Sequence, residues 1–365
     1  MPNYKLLSLA LAISVLFWSC DSEEDNSYTI PDTYSFENVS YDGQVQRLQM
    51  LLEMKSYLGS ANTPGTVLDA GRLKAMYAND AAAANWTLEY DASKQLKSKT
   101  FEQEQARFET LMDAIAQHSQ STAPGEEGVA GVVVSLDGAK QYLLNEKGVE
   151  FAQLIEKGLM GACFYYQALT VYFGDDRMNV DNETITPGEG TDMEHHWDEA
   201  FGYYGVPTDF PLNKDNIAFW GVYSDRRDPI LNCNQQMMDA FIKGRAGISN
   251  DDLTARDEAI AEIRQTWETI TGATAISYLN TAIESFDDMA IRAHALSEAI
   301  AFTYAIQFSP EKRMSNAEVA AVLEDIAGSS DFMEMDLYNT TPERLNDAKI
   351  KLAEALDLME SKDSF

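Results

Sequence analysis

Between Tyr41 and Met359, apolar residues recur run after run at the spacing of one helix face, and almost nowhere do they alternate as a half-buried strand requires. The run 44–58 carries Val45, Leu48, Leu51, Leu52 and Leu58 at that spacing, and 97–118 carries Phe101, Phe108, Leu111, Met112 and Ile115. Residues 142–173 form one long, largely apolar segment, and further helical runs cover 234–245, 252–286, 288–308, 315–326 and 342–359. Only 128–136, with Val129, Val132, Val133 and Val134, reads as a short strand or an extended loop. Each apolar stripe must be covered by a neighbouring element, so the sequence predicts an all-α fold, a helical bundle.

Several helix boundaries have a chemical cause. Thr191-Asp192-Met193-Glu194 has the form of a capping box, in which the Thr hydroxyl accepts from an orphan N–H and the Glu three residues later reaches back. Asp192 and Glu194 also suit the positive end of the helix dipole. Gly205 and Pro207 supply the stop, so 192–204 is predicted as one helix. Pro310 closes the helix before it, and Pro342 opens the last one, where a missing N–H does no harm.

The first twenty residues address the chain. Lys5 gives a positive start and residues 6–18 a short apolar stretch, too short for a permanent span. Phe17-Trp18-Ser19-Cys20 resembles the lipobox of bacterial lipoproteins, and the acidic run 21–25 resembles the tether of Gram-negative surface lipoproteins. Residues 1–20 are therefore expected to be a signal peptide ending at a lipidated Cys20, and 21–40 an acidic tether. The expected location is the cell envelope, on the outer membrane. The formal net charge of −32 argues against nucleic acid and anionic lipid surfaces as partners; it is compatible with cationic ligands, or with solubility alone. Cys163 and Cys233 remain, enough for one bridge but not predictive of one.

A faint internal repeat runs through the chain. Gly161-Ala162 sits in an apolar helix, followed later by His195-His196-Trp197-Asp198-Glu199-Ala200-Phe201; Gly272-Ala273 is followed by His294-Ala295-Leu296-Ser297-Glu298-Ala299-Ile300. The repeat suggests two pseudo-symmetric helical halves, 41–205 and 206–365. His195 and Glu199 share a helix face, as do His294 and Glu298. One turn further along stand Gly202 and Ala301, small enough to leave space beside each pair. The second helix is apolar on nearly every side, so His294 and Glu298 are expected to be buried and to need partners.

Two readings of these residues stay open. His195, Glu199, His294 and Glu298, with His196 as a substitute or supporting ligand, form a mixed nitrogen and oxygen set that suits zinc, iron or manganese better than calcium or copper(I). Alternatively, the His–Glu pairs are structural hydrogen bonds in a metal-free binding or scaffold protein. His118 closes a helical run, where a positive charge is favoured. No H-E-x-x-H, G-x-S-x-G, phosphate-binding loop or dinucleotide motif occurs, and no catalytic residue is assigned.

The lipobox, Tyr34-Ser35-Phe36, Tyr41-Asp42-Gly43-Gln44, Lys157-Gly158-Leu159-Met160-Gly161-Ala162 and above all Met193-Glu194-His195-His196-Trp197-Asp198-Glu199-Ala200-Phe201-Gly202-Tyr203 together resemble an envelope lipoprotein family, the domain of unknown function numbered 4856. That family is similar in outline to the imelysin-like proteins, which are exported, all-α and built of two bundle-like halves. The resemblance implies an association with iron or haem uptake, and some imelysin-like proteins have been assigned peptidase activity. His196 and Glu199 fit the H-x-x-E part of the imelysin-like G-x-H-x-x-E signature, whereas Glu194 stands where its Gly belongs.

Overall fold

The computed structural model describes residues 28–365; the expected signal peptide over 1–20 and the expected lipidation site Cys20 lie outside the described residues. In chain order the helices are α1 (Asp42–Ser60), α2 (Ala70–Ala78), α3 (Ala81–Ala84), α4 (Gln105–His118), α5 (Phe151–Leu159), α6 (Asp175–Met178), α7 (Asp192–Tyr204), α8 (Trp220–Leu231), α9 (Cys233–Ser249), α10 (Leu253–Glu284), α11 (Met289–Ala305), α12 (Asn316–Ala327) and α13 (Pro342–Ala355). The fold is all-α, as the periodicity predicts. Among the described residues no helix is long and apolar enough to cross a membrane.

Where the caps were legible, the boundaries follow them. Thr191 accepts from the Glu194 N–H at 3.2 Å while the Glu194 carboxylate accepts from the Thr191 N–H at 3.0 Å, the reciprocal bonds of a capping box. Gly205 ends α7 with φ 77°, the left-handed conformation that glycine adopts without strain. Asp252 and Asp288 cap α10 and α11.

The run 142–173 is not one helix. Gly131–Val134 pairs antiparallel with Gln141–Leu144, so the expected strand is half of a hairpin whose other half takes the first residues of that run. Asn145 then accepts from the N–H groups of Lys147 and Val149, fixing a turn, and helix begins only at Phe151. Beyond α5 the chain stays helical but widens into π-helix over Met160–Tyr165 and Gln167–Tyr172. The run 97–118 likewise divides into two short 3₁₀ turns and α4. α2 and α8 had no signal strong enough to predict; α8 carries Pro229 inside it and only a weak apolar stripe.

The acidic tether expected over 21–40 does not extend through Tyr34. Tyr34 is buried, stacks on Phe201 with ring centroids 3.9 Å apart, and donates its hydroxyl proton to Asp198 at 2.5 Å. Its backbone N–H donates to the Thr208 carbonyl at 2.9 Å, so this segment belongs to the packed body. The division expected near 206 marks no gap either. α10, 32 residues long, packs against α8, α9, α11 and α13, α11 also packs on α5, and one continuous core draws residues from both sides of the boundary.

Candidate functional site

α7 presents two different faces. Inward, Trp197 donates its indole N–H to the Phe241 carbonyl at 3.1 Å, and buried Asp198 accepts from Arg245 Nε at 3.0 Å as well as from Tyr34. Arg245 also pairs with Glu194, so three positions of the helix are tied to α9 and to the N-terminal segment. On the outer edge, Glu199 accepts from Gln44 Nε2 at 2.8 Å, from the Tyr172 hydroxyl at 3.0 Å and from His196 Nδ1 at 3.2 Å. Burial alone would raise the Glu199 carboxyl; the His196 bond and the other donors overcome it and hold its pKa at about 2. His196 Nε2 faces Arg177 Nη1 at 3.4 Å, which assigns the neutral ring its proton on Nδ1. His195 Nε2 lies 4.0 Å from Glu199, and its buried Nδ1 has no hydrogen-bond partner among the described residues.

Gly202 does not leave space beside this pair. A Cβ there would stand 2.7 Å from the Tyr41 Cβ and 2.9 Å from the Gln44 Cβ, so the missing side chain is what lets α1 lie against α7. Gln44 thereby reaches Glu199.

In α11 the same spacing has a different outcome. His294 and Glu298 share a face but do not pair with each other. His294 Nδ1 donates to Glu150 at 2.6 Å, and its ring stacks on Tyr142 with centroids 4.2 Å apart and planes inclined by 10°. Burial works against a charged imidazole here, yet the Glu150 carboxylate more than offsets it, so the His294 pKa is raised. Glu298 instead faces Lys157 Nζ at 3.4 Å. Lys157 is buried, lies 2.5 Å from Glu156 on α5, and has the Tyr223 ring 5.5 Å from its ammonium. Glu156 also meets Lys55 of α1 at 2.9 Å. Burial tends to neutralise both members of the Glu156–Lys157 pair, but mutual attraction prevails: the Glu156 pKa falls and the Lys157 pKa rises, so both stay charged.

The five candidate ligands therefore do not form one site. His195, His196 and Glu199 are bound to the start of α1 through Gln44, while the Glu298 network reaches α1 at Lys55, eleven residues and about 16 Å further along the axis. Among the described residues no three His, Cys, Asp or Glu side chains lie close enough together to hold a metal ion. The donor set does not fit a shared zinc or iron centre. His118 ends α4 and faces Glu146 at 3.4 Å, but burial lowers its pKa, against a charge at that helix end. Cys163 and Cys233 are separate buried thiols, with burial raising them to about 12 and about 11, so they form no disulfide with each other and neither is favoured as a thiolate.

A groove of about 720 Å³ runs between α1, α5 and residues 205–226. Buried Glu156 and Lys157 line it, together with the more exposed Lys55 and Arg226. Motif spacing did not single out Glu150, Glu156, Lys157 or Lys55. One available signal was the pair Glu156-Lys157, two charges side by side in an apolar run that could only be buried if paired.

The model of the family described as Domain of unknown function (DUF4856) matches residues 31–358. No curated protein and no solved structure matches the chain. The family match begins before Tyr34 and runs past the end of α13, so it covers the packed body together with the His-His-Trp-Asp-Glu helix and the buried ion cluster. The chain belongs to the DUF4856 family.

Proposed function

We propose that this protein is an envelope lipoprotein, anchored by lipid on Cys20 in the outer membrane, that binds a small molecule in the groove without using a metal. What supports this most is the Glu156–Lys157–Glu298 cluster beneath a groove of about 720 Å³. Buried ions carry a desolvation cost that a packed apolar trio of the same volume avoids. A largely pre-formed cavity with a few fixed polar groups is the usual build of a small-molecule site. Phe219, on the groove wall, adopts φ 45°, a strained conformation for a bulky residue and one that clusters at ligand sites. The His–Glu spacings then serve structure: His196 is held by Glu199 and His294 by Glu150, and each bond ties a helix to its surroundings.

Native mass spectrometry of protein purified from its own envelope tests the reading. The expected result is one bound small molecule per chain, lost when Val45 on the groove wall is replaced by Trp. Equal occupancy in wild type and Val45→Trp would sink it. Elemental analysis of the same sample decides the metal alternative: one iron or zinc per chain, lost in His294→Ala, would restore a metal-binding role. For the anchor, Cys20→Ala is expected to abolish lipid labelling and release the protein from membranes; persistent attachment would refute it.

A further inference from the structure

The two walls of the groove differ in chemistry from the rest of the surface. The α1 wall runs from Tyr41 through Val45, Leu48 and Leu52 to Lys55, about 20 Å along the helix axis. Val45 and Leu52 are 36% and 43% exposed although large and apolar, and both face the groove. Val206, Ile217, Phe219 and Val222 continue the apolar lining opposite. At the Lys55 end the charges reverse the sign of the molecule as a whole. The chain has 27 Lys and Arg against 59 Asp and Glu, yet Lys55, Lys157 and Arg226 outnumber Glu156 and Asp215 in the lining.

These cations are not equally committed. Lys157 is held between Glu156 and Glu298, and Lys55 is half spent on Glu156. Arg226 is exposed and has no ion pair or hydrogen bond among the described residues; its guanidinium lies 5.3 Å from the centroid of the Tyr223 ring, on whose other neighbour, Lys157, the cluster depends. A guanidinium fixed on an aromatic ring presents a planar fork of donors suited to a carboxylate or phosphate.

We propose that the groove binds an amphipathic anion, an apolar chain ending in a carboxylate or phosphate, with the chain along α1 and the anionic head at the Arg226–Lys55 end. The inference rests on the binding role proposed above and names its ligand chemistry. The overall charge of −32 does not oppose it, because charges more than about 10 Å away are largely screened at 0.1 M salt, while contact charges are not. A cationic ligand would meet Arg226 and Lys55 with the wrong sign, and a neutral one would leave Arg226 unanswered.

Calorimetric titration of the folded chain with dodecanoate, dodecyl phosphate, dodecyltrimethylammonium and dodecanol, each below its micelle concentration, tests this. Dodecanoate or dodecyl phosphate is expected to saturate at one per chain, at least tenfold tighter than the cation or the alcohol, and the tighter of the two identifies the head group. Arg226→Gln is expected to weaken that binding at least tenfold, and Leu52→Glu to abolish it, with circular dichroism and Tm unchanged in both. Equal binding of the cation or the alcohol, or wild-type affinity in Arg226→Gln, overturns the anion assignment while leaving a groove that binds ligands. Failure of all four to bind overturns it too, and the Val45→Trp comparison then decides by itself whether the groove holds anything.

Discussion

α7 and α11 carry the same His-x-x-x-Glu spacing, and the protein uses it in two ways. In α7 the polar edge is partly wet: Glu199 gathers donors from its own helix, from α1 and from Tyr172, and one histidine nitrogen stays unpaired. In α11 the two residues look past each other, His294 to Glu150 and Glu298 to Lys157, and Glu298 joins a charge chain that runs through α5 to α1. Spacing of four puts two side chains on one face. Which groups they meet depends on what packs against that face, and α1 covers the first helix where α5 covers the second.

The comparison breaks most readily at Lys157. Lys157→Met leaves Glu298 and Glu156 buried with less compensation, and is expected to cost about 3–5 kcal/mol in urea unfolding. A neutral result would mean the α11 network is no more demanding than the α7 edge. His294 comes next. Its raised pKa means that the Glu150 contact stabilises fully below the unfolded value near 6.5 and is lost as pH rises through the higher folded value. His294→Gln should therefore cost about 1.5–3 kcal/mol near pH 6 and progressively less toward pH 9; a gap that widens with pH would contradict the pair.

Gly202→Ala probes the α7 side, where the added Cβ must push Tyr41 and Gln44 of α1 away. The expected loss is about 1–3 kcal/mol, visible as a lower Tm, and an unchanged Tm would mean that α1 is not seated as described. Glu199→Gln should show the smallest effect, about 1 kcal/mol at neutral pH. Glu199 is held at about 2 against an ordinary 4.5, so its contribution is present above 4.5 and lost as pH falls toward 2. Wild type and Glu199→Gln should converge in acid; a gap independent of pH would assign the loss to packing.

Much of the framework was legible because its causes are local. The capping box at Thr191, the stop at Gly205 and the start at Pro342 are decided within a few residues, and the structure places each as expected. The run 142–173 reads as one apolar segment because apolar content alone does not separate a hairpin strand from a helix; the turn at Asn145 separates them. Charge and polarity make 21–40 read as a tether, but Tyr34 brings apolar surface and a buried hydroxyl bond that dock the chain around it.

The sequence by itself determined the helical class, the ends of the capped helices, the family and the burial of Glu298 on α11, while His294, expected to be buried with it, is only half-buried; periodicity, capping and apolar surroundings are properties of neighbours along the chain. Only the tertiary structure decided that His294 answers Glu150 and Glu298 answers Lys157, that Gly202 is filled by α1, and that Arg226 and Lys55 face one groove. His294 and Glu150 are 144 positions apart, as Gln44 and Glu199 are 155, and nothing in local spacing encodes which helix will lie across a given face. A buried charge must find an opposite charge, and the packing of distant helices determines which one it meets.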